Sequence, residues 1–136
     1  MADSQQTLHI ALYSDDSSVR NTVKTALGKR VAAHLPEHTI HEFATGDALK
    51  LHVDSRKKID LYILDAEATP EGGMGISKQL KDEVFNCPPV LLIVARQQDA
   101  WLAGWSRAEG VVSHPIDPFT LASKVASLLA GSNISA

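Results

Sequence analysis

The stretch IDLYILDAEATPEGGMG, residues 59–75, decides how the rest of the chain is read. LYIL (61–64) is an apolar run that climbs to a single aspartate, Asp65, and then breaks into a loop rich in Gly and Pro. A short apolar run bounded by turn residues reads as a strand buried on both faces, the kind found in parallel sheets. A carboxylate at the end of such a strand is costly unless it meets water, a metal or a hydrogen-bond donor. Asp65 is therefore the first candidate functional residue.

Outward from this strand the same pattern repeats. LHIALY (8–13), TIHEFA (39–44), VLLIVA (90–95) and GVVSH (110–114) read as the other four strands. Between them, helical spacing recurs. Val19, Val23, Ala26 and Leu27 form one apolar stripe, stopped at Gly28, with Asp16 or Ser17 as its cap. Gly46 and Asp47 open a short helix with Ala48, Leu49 and Val53 inward; Ile76, Leu80 and Val84 mark the next. Asp99 to Ala108 reads as a helix carrying Trp101, Leu102 and Trp105. Asp117 caps the last helix, with Pro118 at its first position and Leu121, Val125, Leu128 and Leu129 on its inner face. Five β-α units in a row predict an α/β fold, a doubly wound parallel sheet with right-handed crossovers covering both faces. One domain is expected over residues 8–130, with short tails at 1–7 and 131–136.

The totals exclude several classes of function. A chain of 136 residues, 44% apolar and 21% charged, suits one globular core. Its net charge of −3, without a basic block, gives nucleic acid no electrostatic footprint. Cys87 has no second cysteine to pair with, which fits a reducing compartment. No apolar run reaches membrane-spanning length, and MADSQQT lacks the pattern of a signal peptide. A cytoplasmic protein without a membrane partner is expected. The histidines other than His114 are scattered over different elements, so no zinc site is read, and EGGMG matches neither a P-loop nor a dinucleotide fingerprint.

In an open parallel sheet the working groups gather at the carboxyl ends of the strands. Asp15, Asp16, Asp65 and His114 all follow strands directly. The pieces YSDDSSVR, DLYILD, PPVLLIVA and VVSHPIDPFTL, spread over roughly Leu8 to Ala130, together resemble a response-regulator receiver (CheY-like) domain. The resemblance implies a flavodoxin/CheY-like strand order 2-1-3-4-5. It implies a phospho-acceptor at Asp65, which takes a phosphoryl group from a histidine kinase. It also implies an acidic pair after strand one that holds Mg²⁺ together with the acceptor, a hydroxyl ending strand four and a Lys ending strand five. Phosphoryl transfer of this kind needs positioning and charge neutralisation more than covalent help.

The sequence departs from that pattern. The acidic pair falls on Ser14 and Asp15, or, with a one-residue slip, on Asp15 and Asp16. The hydroxyl position falls on Val94, the Lys position on His114 and the aromatic switch position on Val111. Asp15, Asp16 and Glu67 are weak Mg²⁺ candidates; no cofactor is otherwise expected. For Asp15 and Asp16 the metal reading competes with a plain helix cap. His114 competes between an anion contact and a side chain filling a Lys-sized space. Trp101 and Trp105 lie one helical turn apart and are the candidate interface, Trp101 packing on the sheet and Trp105 partly exposed.

The expectation is a stand-alone, atypical receiver in two-component-type signalling. It is not an enzyme, and it acts through protein partners, independent of phosphorylation. The partners implied are a histidine kinase, another signalling protein or a second copy in a homodimer. Two alternatives stand beside it: a working single-domain receiver phosphorylated on Asp65, and a flavodoxin-like module holding a small ligand such as a flavin.

Overall fold

A computed structural model describes residues 7–135, and their side chains except those of 102–103 and 132–135. Each apolar run of the sequence becomes a parallel strand: β1 (Leu8–Tyr13), β2 (His38–Phe43), β3 (Leu61–Asp65), β4 (Val90–Val94) and β5 (Gly110–Ser113). The helices between them are α1 (Ser17–Leu27), α2 (Gly46–Asp54), α3 (Gly73–Glu83), α4 (Leu102–Ser106) and α5 (Pro118–Ser135). The sheet order is β2-β1-β3-β4-β5, as the resemblance implies. All neighbours pair in parallel, with Ile10 opposite Leu61, Leu64 opposite Leu92 and Ile93 opposite Val112.

Alternation along the strands splits the core into two layers. Ile10, Leu12, Leu61, Ile63, Leu91 and Ile93 point to the side covered by α1 and α5, where Val23, Leu27, Leu121 and Val125 meet them. Ala11, Tyr13, Tyr62, Leu64, Leu92 and Val94 point to the other side, against Leu49, Ile76 and Leu80. Every residue of β3 and β4 is buried, which explains why those runs are apolar without interruption.

Helix ends follow local chemistry. Asp16 caps α1 by accepting from the Ser18 N–H, and Gly28, at φ 55°, closes it. Thr45 caps α2 through the Ala48 N–H. Four expectations need correction. Ala48 is exposed, and Gly46 and Leu49 are the buried residues of the helix. The helix expected over 99–108 is a 3₁₀ turn, Gln97–Asp99, followed by the short α4. Gly104 weakens that segment, and Arg107, at φ 63°, turns the chain out of it. At the other end α5 continues past Ala130 to Ser135, because one Gly in a run of helix-compatible residues is not enough to stop it. Trp101 is not packed on the sheet: it is 71% exposed, more than Trp105 at 54%. The N-terminal tail, Thr7 apart, lies outside the described residues.

His38 is buried, and its Nε2 donates to the Gly28 carbonyl at 2.7 Å, leaving Nδ1 buried without a partner. Protonating Nδ1 would add a donor with nothing to receive it, so burial holds this imidazole below its ordinary value of 6.5. On the opposite layer, His9 Nδ1 and His41 Nε2 are 3.0 Å apart, and the His52 ring lies 5.5 Å from that of His41. Burial, then neighbouring positive charge, lowers His41 and His52 in the same way. A folded-state value below the unfolded one means that the unfolded chain binds more protons. The stability these rings contribute is complete above about pH 6.5 and falls as the pH drops through it. Urea unfolding at about pH 7.5 and 5.5 is expected to show a lower midpoint in acid, with the difference reduced in His38→Gln and His41→Gln. Equal midpoints at the two pH values would contradict this.

Candidate functional site

The site lies at the carboxyl ends of β1 and β3. Asp65 is 3% exposed, and both of its oxygens have donors. Ser14 Oγ donates to Oδ2 at 2.7 Å, and the Glu67 N–H donates to Oδ1 at 2.9 Å. Ser14 is itself fully buried, and its Oγ accepts from the Asp16 N–H at 3.1 Å. A hydroxyl that accepts from the backbone and donates to a carboxylate is oriented, so the bond to Asp65 is both short and directed.

The loop after Asp65 folds back tightly over the strand it leaves. A Cβ on Gly72 would sit 2.7 Å from the Ala66 carbonyl oxygen, and one on Gly73 would sit 2.9 Å from the backbone of Asp65. This close approach is the reason for Gly72 and Gly73; an added Cβ on Gly75 would meet open space. Tyr13, the last residue of β1, donates to the Glu71 carbonyl at 2.6 Å and ties the loop to the sheet. Burial raises the Tyr13 hydroxyl above its ordinary value, helped by the negative charges of Glu71, Asp15 and Asp65 nearby. Thr69 Oγ1 donates to Asp15 Oδ2 at 3.0 Å, a second tie between loop and β1.

The other sequence candidates divide. Asp15 and Glu67 have exposed side chains, and Glu67 reaches Asp65 only through its backbone N–H. Asp16 is exposed and holds the α1 cap, where its bonds to the Ser18 hydroxyl and N–H lower its pKa. Ser14, not Asp16, touches Asp65. Val94 is buried within the apolar layer and offers no donor. His114 is half-buried just past β5, held there by its N–H on the Val94 carbonyl at 2.9 Å. Val111 packs against the same apolar layer as Val94.

These residues do not fit the Mg²⁺ site implied by the resemblance. A hydroxyl stands where one carboxylate belongs and already holds Asp65 Oδ2. The next carboxylate but one, Asp16, is turned to the helix. Among the described residues, no group of three or more His, Cys, Asp or Glu is arranged to hold a metal ion. Sequence reasoning missed Tyr13, Thr69 and Glu71. The signal for Tyr13 was available, since a polar-tipped residue closing an apolar strand needs a partner for its hydroxyl.

Two curated relatives from Mycobacterium tuberculosis strains, each named an uncharacterized response regulatory protein, are 54% identical to the chain over 129 residues. The match covers 95% of this chain and 96% of each relative. The chain belongs to the response-regulator family. No protein-family model matches it. Among solved structures, a two-component response regulator from Clostridium difficile aligns with a TM-score of 0.74 at 18% identity, covering 91% of this chain and 97% of that one. A chemotaxis protein of Vibrio cholerae aligns at 0.70 and 18%, covering 90% and 98%. A receiver domain described as BeF3-activated aligns at 0.73 and 18%, covering 91% and 98%. These neighbours share the fold, and with the family shown by the relatives the chain is a response-regulator receiver domain of two-component signalling.

The Ser14–Asp65 bond makes a direct prediction. Ser14→Ala leaves a buried carboxylate oxygen without its donor and should lower stability by about 1–3 kcal/mol in urea unfolding. A loss below about 0.5 kcal/mol would mean that water replaces the hydroxyl at no cost.

Proposed function

We propose that the chain is an atypical receiver that signals through protein contacts and does not depend on a phosphoryl group at Asp65. The observation that carries this reading is the 2.7 Å bond from a buried serine hydroxyl to the Asp65 carboxylate, in place of a metal-binding acid. A phosphoryl group on Asp65 would carry about two negative charges into a site with little to neutralise them. Val94 supplies no hydrogen bond there, and His114 stands where the resemblance implies a Lys. The chain performs no turnover of its own on this reading and works in the cytoplasm.

The contact surface we assign is the exposed side of Trp101 and of α4, next to α3. Trp101, Trp105 and Phe119 are all largely exposed, Phe119 at 85%. Trp101 and Trp105 lie within four residues of each other, and large apolar side chains exposed together mark an interaction surface more often than a free one. The Lys78 ammonium lies 5.7 Å from the centre of the Trp105 ring, which fixes one side of that ring and leaves the other open. Partners suited to this face are a histidine kinase, another signalling protein or a second copy of the chain.

Intact-mass measurement after incubation with acetyl phosphate and Mg²⁺ tests the first part. No adduct is expected on the wild type or on Asp65→Asn. An adduct on the wild type alone would replace this reading with that of a working phospho-acceptor. For the second part, sedimentation of the wild type is expected to show self-association that Trp101→Ala and Trp105→Ala each weaken without loss of secondary structure. Unchanged association in both variants would remove this face from the reading.

A further inference from the structure

Three imidazoles meet on the α2 side of the sheet. Parallel pairing sets His41 of β2 opposite Ala11 of β1. His9 is two residues before Ala11, so it points to the same face. The two rings touch there, His9 Nδ1 lying 3.0 Å from His41 Nε2. His52, in the last turn of α2, comes over them. Its ring centre is 5.5 Å from that of His41 and 5.1 Å from that of Phe43. All three histidines are half-buried, so solutes can reach the patch from one side. His9 is level with the residue before Leu61, five positions short of Asp65. At about 3.3 Å per residue the patch is roughly 16 Å from that carboxylate along the sheet.

The His9–His41 contact is a hydrogen bond in which one ring gives its N–H and the other its lone pair. That bond accounts for two of the rings and leaves the third unexplained. His52 Nδ1 is buried and has no hydrogen-bond partner. A buried polar atom in this state costs free energy unless something meets it.

The same separation suits two nitrogens on one ion. With metal–nitrogen bonds of about 2.0–2.1 Å, two imidazoles at a right angle stand about 2.9 Å apart, and at the tetrahedral angle about 3.3 Å apart. The pair at 3.0 Å is nearer the right angle, the geometry of tetragonal Cu²⁺ and of Ni²⁺. To share an ion the two rings must tilt until both lone pairs point at it, and the shared proton must leave. Among the described residues no three ligating groups already converge, so a third nitrogen has to turn in. His52 carries the nitrogen without another task.

The surrounding charges are mixed. Asp60 accepts the His9 N–H at 2.8 Å and sets a carboxylate behind that ring, itself 3.7 Å from Lys58. The positive charge of Lys57 reaches His41 and His52 and opposes a cation there. Lys57 is exposed, so dissolved salt screens it.

We propose that this patch binds a divalent transition-metal ion of the copper and nickel class through His9 Nδ1 and His41 Nε2, with His52 recruited as the third ligand. Water fills the remaining positions. The ion would tie β1, β2 and α2 together at the edge of the sheet. No residue of the patch belongs to the Asp65 site, so binding here stands or falls separately from the phosphoryl test.

The experiment is a Cu²⁺ titration of the intact chain, without an affinity tag, followed by NMR of the histidine rings and by electron paramagnetic resonance. One equivalent should saturate the site and broaden the rings of His9, His41 and His52 before those of His34, His38 and His114. The resonance spectrum of the wild type should show splitting from more than one imidazole nitrogen, a readout that needs no variant to fold. His9→Gln and His41→Gln should each weaken binding by at least about tenfold, the scale on which even outer-shell partners of a metal act. His52→Gln should weaken it by a few-fold. Absence of saturation, broadening that begins at the other histidines, or a single-nitrogen spectrum would overturn the proposal and leave the pair as a hydrogen bond alone. So would wild-type affinity in both His9→Gln and His41→Gln. Wild-type affinity in His52→Gln would overturn its place as the third ligand.

Discussion

A charged group at the end of a fully covered strand is the constraint on which the upper half of this molecule depends. β3 is buried along its whole length, and Asp65 is its last residue. The carboxylate cannot remain there without donors, and solvent reaches it too little to supply them. One donor comes from β1, through Ser14, and the other from the first turn of the loop, through the Glu67 N–H. Once both are required, the loop must bend back at once, the glycines that permit the bend follow, and Tyr13 and Asp15 secure its far side. The geometry is that of a carboxylate held in one place by neutral groups.

Much of this was legible from the residues. The strands were plain because period-two burial and uninterrupted apolar runs leave few alternatives, and their order followed from the resemblance. Asp65 stood out because it breaks an apolar run. The partner of Asp65 was less plain. The resemblance pointed at Ser14 and Asp15, but a one-residue slip moved the pair to Asp15 and Asp16. Only the fold shows that Asp16 faces the helix it caps. Spacing carries no information on whether a carboxylate turns toward a helix or toward a strand end. The tryptophan helix was misread for a related reason. Helical spacing put Trp101 and Trp105 on one face but could not say that Gly104 and Arg107 would leave a helix too short to press that face on the sheet. The histidine cluster was invisible because His9, His41 and His52 belong to three elements, which meet only once β1 and β2 pair and α2 crosses them.

The two ends of the sheet differ in how they treat charge. At the carboxyl ends of the strands one buried anion is satisfied by neutral donors, and the remaining acids are exposed or capping. Toward the amino end of β3, Lys50 and Lys58 are paired with Glu71 and Asp60, and Arg56 and Lys57 stand beside Asp54 and Glu83. A receiver scaffold concentrates positive charge where an incoming phosphoryl group must be held. In this chain the Lys position of that pattern is His114 and the hydroxyl position is Val94, so the carboxyl end of the sheet keeps its acceptor without those two groups.

The chain has two tryptophans, and both are on or beside α4. Its intrinsic ultraviolet emission therefore comes from one short, exposed element and from almost nowhere else. An optical signal of this kind is blind to much of the core and sensitive to whatever covers or rotates a single turn of helix. Heating curves followed by emission describe that turn first. The same curves followed by far-ultraviolet dichroism describe the five-stranded sheet and its helices, and a gap between the two would measure how loosely this corner is coupled to the rest.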